Sequence, residues 1–443
     1  MKLRNKMILL ATTAAVALSA PAAAFAQSAK EVELEARLKQ LEATVSVLQT
    51  ELAKAKHQPD MLPAAAAAPA PAAAAAPSGP TVKFSGFVKT VGSFTEYSAG
   101  KPTSDTLRDF YLGQGIAVGN GKSYNAFTAN AKQTRMTATV NSNLAGHTLT
   151  AYIEGDFQAS PGAGTQNATN AYAPALRRAF VTLDNITVGQ DWSTFQNPAV
   201  LPESTDYAGT LDGTVFVRQA LVRYTKKISN NANFMVSLEN PQTLTSAINS
   251  ASVTSNDDDN VPDIAARLNF KNSIGEFSIA AVGRQLRVVN ASGTFDETAT
   301  GAGVSAAGAI PFGAKKQHKA TFMVTYGEGI GRYMAAAATP DAITTANSLE
   351  AIATTNAFAS VKFAVSPTSR INIMAGLHQA DLPDVVTNPS SITKRLDSIA
   401  INYFYSPVPK VDFGVEYRHA ERELFGGVNG TIDRIEFAAK YAF

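Results

Sequence analysis

Residues 81–443 predict an all-β fold, a sixteen-stranded antiparallel transmembrane β-barrel, and an N-terminal α-helical coiled coil precedes it. Three observations lead there. From Thr81 to Phe443 the apolar residues recur at every second position, which is the period of a strand. The joints between those stretches alternate between short and long, so one end of the sheet is trimmed and the other elaborated. No apolar run beyond the first thirty residues approaches the ~20 that a membrane-crossing helix needs, which leaves strands as the means of crossing.

Composition removes other classes. The chain has 443 residues, 45% hydrophobic and 17% charged, with no Cys. Charge this low does not describe a disordered polyelectrolyte. Without Cys there are no disulfides, thiolate metal sites or Cys nucleophiles. The formal charge of +2 includes Lys2, Arg4 and Lys6 of a leader segment, and losing those three takes it to −1. A basic surface for nucleic acid is therefore not expected.

Residues 1–26 read as a signal peptide. Lys2, Arg4 and Lys6 precede an apolar core over Met7 to Ala20, and Ala24-Phe25-Ala26 gives the small-x-small cleavage pattern, with Gln27 as the mature start. Over 27–56 the spacing becomes heptad-like. Leu34, Leu38, Leu41, Val45, Leu48 and Leu52 form one apolar seam, with Glu31, Glu35, Arg37 and Lys39 on the wet faces. A lone helix would leave that seam exposed, so its expected partner is another copy of itself. Leu at both seam positions leaves dimer and trimer open. Residues 57–80, mostly Ala and Pro, read as a semi-rigid spacer.

Within 81–443, Val82, Phe84 and Val88 oppose Lys83, Ser85 and Lys89, and Ile435, Phe437, Ala439, Tyr441 and Phe443 oppose Arg434, Glu436 and Lys440. A soluble sandwich also alternates, but here the polar parity carries charge on nearly every strand, as a water-filled interior allows. Short joints are expected at Asn141–Gly146, Asp184-Asn185, Lys226–Asn231, Lys271–Ile274, Gly327–Gly329, Ser366–Ser369 and Ser406–Pro409, with long stretches at 95–131, 240–262, 288–313 and 337–355. That asymmetry fits an outer-membrane barrel with tight periplasmic turns and longer outer loops. Lipid cannot satisfy a free strand edge, so the sheet must close, and sixteen strands enclose a lumen too wide for side chains to fill. The terminal Phe443, with Tyr441 two residues before, resembles the C-terminal signal of barrels inserted into that membrane.

The stretch Leu176–Pro198 holds Arg177, Arg178, Gly189, Gln190, Trp192, Ser193, Thr194 and Phe195, and Val217–Tyr224 follows as VRQALVRY. Together with the zipper, spacer and barrel, these segments resemble the DcaP-like porins. The resemblance implies a homotrimer of sixteen-stranded pores with a trimeric zipper in the periplasm. It also implies passive uptake of small anions, dicarboxylates among them, through the outer membrane.

Selectivity in a wide pore comes from a constriction and its charge. The loop over Phe195–Thr214 carries Glu203, Asp206 and Tyr207 and is expected to fold inward. Arg135, Arg178, Arg218 and Arg223 on nearby strands form the basic side, since paired guanidinium groups bind carboxylates bidentately. Adjacent residues of a regular strand face opposite ways. Arg178, opposite the lipid parity of Ala179, Val181 and Leu183, is therefore expected in the lumen, and Arg177 outside.

No cofactor or metal is expected. His57, His147, His318, His378 and His419 form no ligand spacing, and Asp257-Asp258-Asp259-Asn260 lacks the glycine and terminal Glu of a calcium loop. Catalysis is not expected either: His147 lies near Ser142 without an evident orienting acid. The alternative to a pore is a structural tether, with a plugged barrel and a zipper that reaches toward the cell wall.

Overall fold

A computed structural model describes residues 79–102, 106–158, 171–248, 250, 252–386 and 391–443, together with Lys39. The expected leader, the zipper apart from Lys39, and the spacer up to residue 78 lie outside the described residues.

Sixteen strands form the barrel wall. They are β1 (Thr81–Tyr97), β2 (Tyr124–Asn130, resuming as Arg135–Leu144), β3 (His147–Asp156) and β4 (Ala175–Leu183). Next come β5 (Ile186–Trp192), β6 (Arg218–Ser229), β7 (Ala232–Glu239) and β8 (Asp263–Lys271). Then follow β9 (Glu276–Val289), β10 (Asp296–Phe312), β11 (His318–Glu328) and β12 (Ala353–Ser366). The last are β13 (Ser369–Asp381), β14 (Thr393–Tyr405), β15 (Val411–Leu424) and β16 (Asn429–Ala442). Each pairs antiparallel with the next, and β16 returns to β1 through Phe87↔Ala442 to Tyr97↔Ile432. Because β1 pairs with both segments of β2, these count as one strand. The ring has no free edge, as hydrocarbon requires.

The apolar parity faces outward. Phe84, Ile153, Ile279 and Val304 are more than half exposed on the barrel's outside, a surface that only lipid or another protein can cover. Tyr403, Tyr405, Phe413 and Tyr441 stand exposed at the short-turn end, where an aromatic girdle anchors a barrel. In the first hairpin turn Ala145 and Gly146 have φ of 51° and 88°, the left-handed pair whose twist matches that of the strands.

Two expected joints are placed differently. Gly327–Gly329 is not a short turn, because β11 runs through Glu328 and a long outer loop over 329–352 follows. The short turn lies at 313–317, and the supposed loop 288–313 is mostly β10. The inward residues of β10 are Gly301, Gly303, Ser305 and Ala307, so its alternation lacks size contrast. The reason is packing. A Cβ on Gly303 would meet Ile330 Cδ1 at 2.7 Å, because the loop over 329–352 turns into the lumen and needs that space.

Candidate functional site

The third long loop, 193–217, leaves β5 after Trp192 and makes a circuit of the lumen before entering β6. Its base is closed by Ser193 N–H to Val217 O at 3.1 Å. Asn197 accepts from Ala199 N–H, capping a single 3-10 turn, and donates to Ser278 Oγ on β9 at 2.8 Å. Glu203 then takes two hydrogen bonds from Arg370 on β13, at 2.8 and 2.6 Å. Ser204 and Thr205 bind the Glu416 carboxylate on β15, and Lys89 on β1 donates to Thr205 O at 2.6 Å. Asp212 accepts from Ser398 on β14 at 2.8 Å. Val215 finally bridges to Met334 of the 329–352 loop. The loop folds inward because each wall offers its polar atoms a partner.

Opposite Tyr207 stands a ladder of alternating charge on neighbouring strands. Arg135 (β2) reaches Glu154 and Asp156 (β3) at 3.1 and 2.8 Å. Arg177 (β4) donates to Asp156 at 2.8 Å. Arg178 donates to Asp191 (β5) at 2.6 Å, and Arg223 (β6) takes the other oxygen of Asp191 at 2.5 Å. Tyr207 joins from the loop: its hydroxyl donates to Asp156 at 2.9 Å, and its ring lies under Arg135 and Arg177. Arg218 stands over Trp192, its guanidinium carbon 3.6 Å from the ring centre, with no carboxylate in ion-pair range among the described residues. Five guanidinium groups against three carboxylates leave a surplus of two positive charges.

The acids lie behind and the cations in front. Side chains of Asp156, Asp191 and Glu154 are 0%, 4% and 7% exposed, against 18–23% for Arg177, Arg135 and Arg178. An ion in the lumen therefore meets guanidinium edges first.

The sequence reading of Arg177 needs correction. Glu154 pairs with Arg178 and Gly155 with Leu176, so Arg177 is the extra residue of a β-bulge. A bulge lets two successive side chains share one face, and Arg177 turns inward beside Arg178 while Leu176 stays outside, 58% exposed. Gln190 holds the bulge by donating to the Leu176 and Arg177 carbonyls at 3.1 Å each. Of the expected loop residues Glu203, Asp206 and Tyr207, Tyr207 alone meets the ladder. Glu203 is committed to Arg370, and Asp206 accepts from the N–H groups of Tyr111 and Ala208 at 2.7 and 3.2 Å.

Sequence reasoning missed Arg332 and Tyr333 in the 329–352 loop. Tyr333 donates to Asp263 at 2.8 Å and packs edge-on against Phe195, while Arg332 donates to the Gln219 side chain. The small residues of β10 were the available signal that something bulky enters there. His147 pairs with Asp184 at 2.7 Å, but Asp184 also accepts from Thr148 N–H, so the pair ties two adjacent turns. Asp258 and Asp259 are spent on Val289 N–H and Thr243. Among the described residues no three His, Cys, Asp or Glu side chains cluster as metal ligands.

A family model described as DcaP outer membrane protein matches residues 112–443. The fold is similar to the crystal structure of the outer membrane channel DcaP of Acinetobacter baumannii, with a TM-score of 0.69 and 22% identity over 83% of this chain and 99% of that one. It is also similar to in-vitro folded OmpT of Vibrio cholerae (TM-score 0.50, 9% identity, 82% and 98% covered). Salmonella typhi OmpF in complex with daunomycin gives a TM-score of 0.50 at 12% identity, covering 83% and 98%. These likenesses are of fold. No curated protein sequence matches the chain.

Proposed function

The chain belongs to the DcaP outer membrane protein family, and on that footing we propose that it is an anion-preferring diffusion pore of the outer membrane. Its solutes are small and hydrophilic, with mono- and dicarboxylates favoured. Arg135, Arg178, Arg218 and Arg223, together with Arg177, form the selective wall, and Tyr207 narrows the passage beside them. Glu203 and Asp206 serve the constriction by fixing the loop to the opposite wall.

The carrying observation is the layering of the ladder, with guanidinium groups toward water and carboxylates behind. Charge sequestered this way acts at short range, so the preference weakens as salt rises.

Self-association as a homotrimer is part of the proposal. β5 has only seven residues, whereas a tilted strand needs about 9–11 to cross the hydrocarbon core. A wall this low is better covered by a neighbouring subunit than by lipid. The Leu34–Leu52 seam would hold the same assembly from the periplasm.

Reversal potentials under a KCl gradient test the pore. Wild type should favour anions, and Arg178→Ala should reduce that preference; equal selectivity in both removes Arg178 from the filter. A tether is the second reading, favoured by two loops that pack inward. Silence in planar bilayers supports it, and discrete salt-dependent conductance steps eliminate it.

A further inference from the structure

Below the third loop, on the short-turn side, lies a cavity of about 620 Å³. Its walls are β6 to β10, and its roof is Asn197–Val200. It far exceeds the roughly 10–15 Å³ that one water needs. Arg267 on β8 lines it and is only 9% exposed.

Arg267 is unusual in what it lacks. Its Nε and Nη1 have no hydrogen-bond partner, and its Nη2 meets only the Met235 sulfur, at 3.4 Å. The acids nearest it are committed elsewhere. Asp191 is divided between Arg178 and Arg223, and Glu239 accepts from Thr194 N–H, Gln219 and Ser237. At the mouth, Glu276 is paired with Lys271 at 2.7 Å. Lys227 also lines the cavity and has no ion pair among the described residues. A guanidinium withdrawn from water without a counter-charge is costly, so a companion anion would relieve a cost already built into the wall.

The surroundings suit a carboxylate. Asn269 and Asn233 are joined at 2.8 Å beside Arg267, and Asn197 hangs from the roof. These amides supply donors without adding charge.

We propose that this cavity is a second anion station, on the periplasmic side of the third loop, where Arg267 receives a small carboxylate with Asn233, Asn269 and Lys227 beside it. The inference rests on the pore reading for its route but not for its binding. An ion leaving the Arg ladder would find a further stop before the periplasm, and successive stops of moderate strength are what conduction needs.

Succinate is titrated calorimetrically into the detergent-solubilised full-length protein. Arg267→Gln should weaken binding at least tenfold. Asn269→Asp should do the same, because it gives Arg267 an internal counter-charge while leaving Arg267 in place. If one variant fails to assemble, the other decides. Unchanged affinity in the assembled variants overturns the station. Conductance recorded on the same samples separates the two readings: a silent channel with variant-sensitive binding overturns the pore and keeps the station, whereas an open pore with variant-insensitive binding does the reverse.

Discussion

Replacing Asp191 by Asn removes the carboxylate that Arg178 and Arg223 share at 2.6 and 2.5 Å and leaves the shape nearly unchanged. The ladder's surplus rises from two positive charges to three. A unit charge on the order of 5 Å from a passing ion in water contributes about 0.8 kcal/mol, or about 0.5 once 0.1 M salt screens it. That is roughly a twofold gain for an anion and an equal loss for a cation, so the anion-to-cation permeability ratio should rise about fivefold. Arg178→Ala breaks one of the same contacts but should lower the ratio by a similar factor. Both variants lose stability, by about 1–2 kcal/mol, since the guanidinium groups are partly solvated and only part of a buried pair's cost applies. Reversal potentials at 0.1 M and 1 M KCl read the two signs. If both substitutions move the ratio the same way, disturbed packing governs selectivity and the electrostatic reasoning fails.

Gly376 on β13 faces the loop, and a Cβ there would meet Asp212 Oδ1 at 2.5 Å. Gly376→Ala should loosen the Ser398–Asp212 anchor, at a cost of about 1–3 kcal/mol typical of overpacking, and give larger, noisier single-channel currents. Currents indistinguishable from wild type would show that this anchor does not set the constriction. Deleting residues 27–56 should lower the temperature at which the oligomer dissociates on a gel while leaving conductance per pore intact; an equally heat-resistant oligomer would assign the zipper another role.

The wall was legible because each lipid-facing position meets its solvent independently. Ile153, Val188 and Ile279 need no particular neighbour to be apolar, only hydrocarbon beside them, so a period of two survives in the sequence. β10 escaped notice for the converse reason. Gly301 and Gly303 are kept small by a loop that arrives from 329–352, and the small residues of ETATGAGVSAAG signal that space is needed without saying what fills it. Arg177 was misplaced by the same kind of non-local fact. The bulge that turns it inward is held by Gln190 of the next strand, and alternation counted along one strand cannot register it.

The bulge also explains how so much positive charge fits on so short a wall. On a regular β4 only one of Arg177 and Arg178 could reach the lumen. With the extra residue both do, and each takes a different carboxylate, Asp156 for one and Asp191 for the other. The two acids are thereby covered from the water side, and the ladder continues without a break from Arg135 to Arg223. A regular strand would leave Asp156 with one guanidinium fewer and more open to the lumen, where its charge would oppose an entering anion. The register shift in β4 therefore raises the ladder's surplus from one positive charge to two, and Gln190, which has no charge of its own, holds that shift in place.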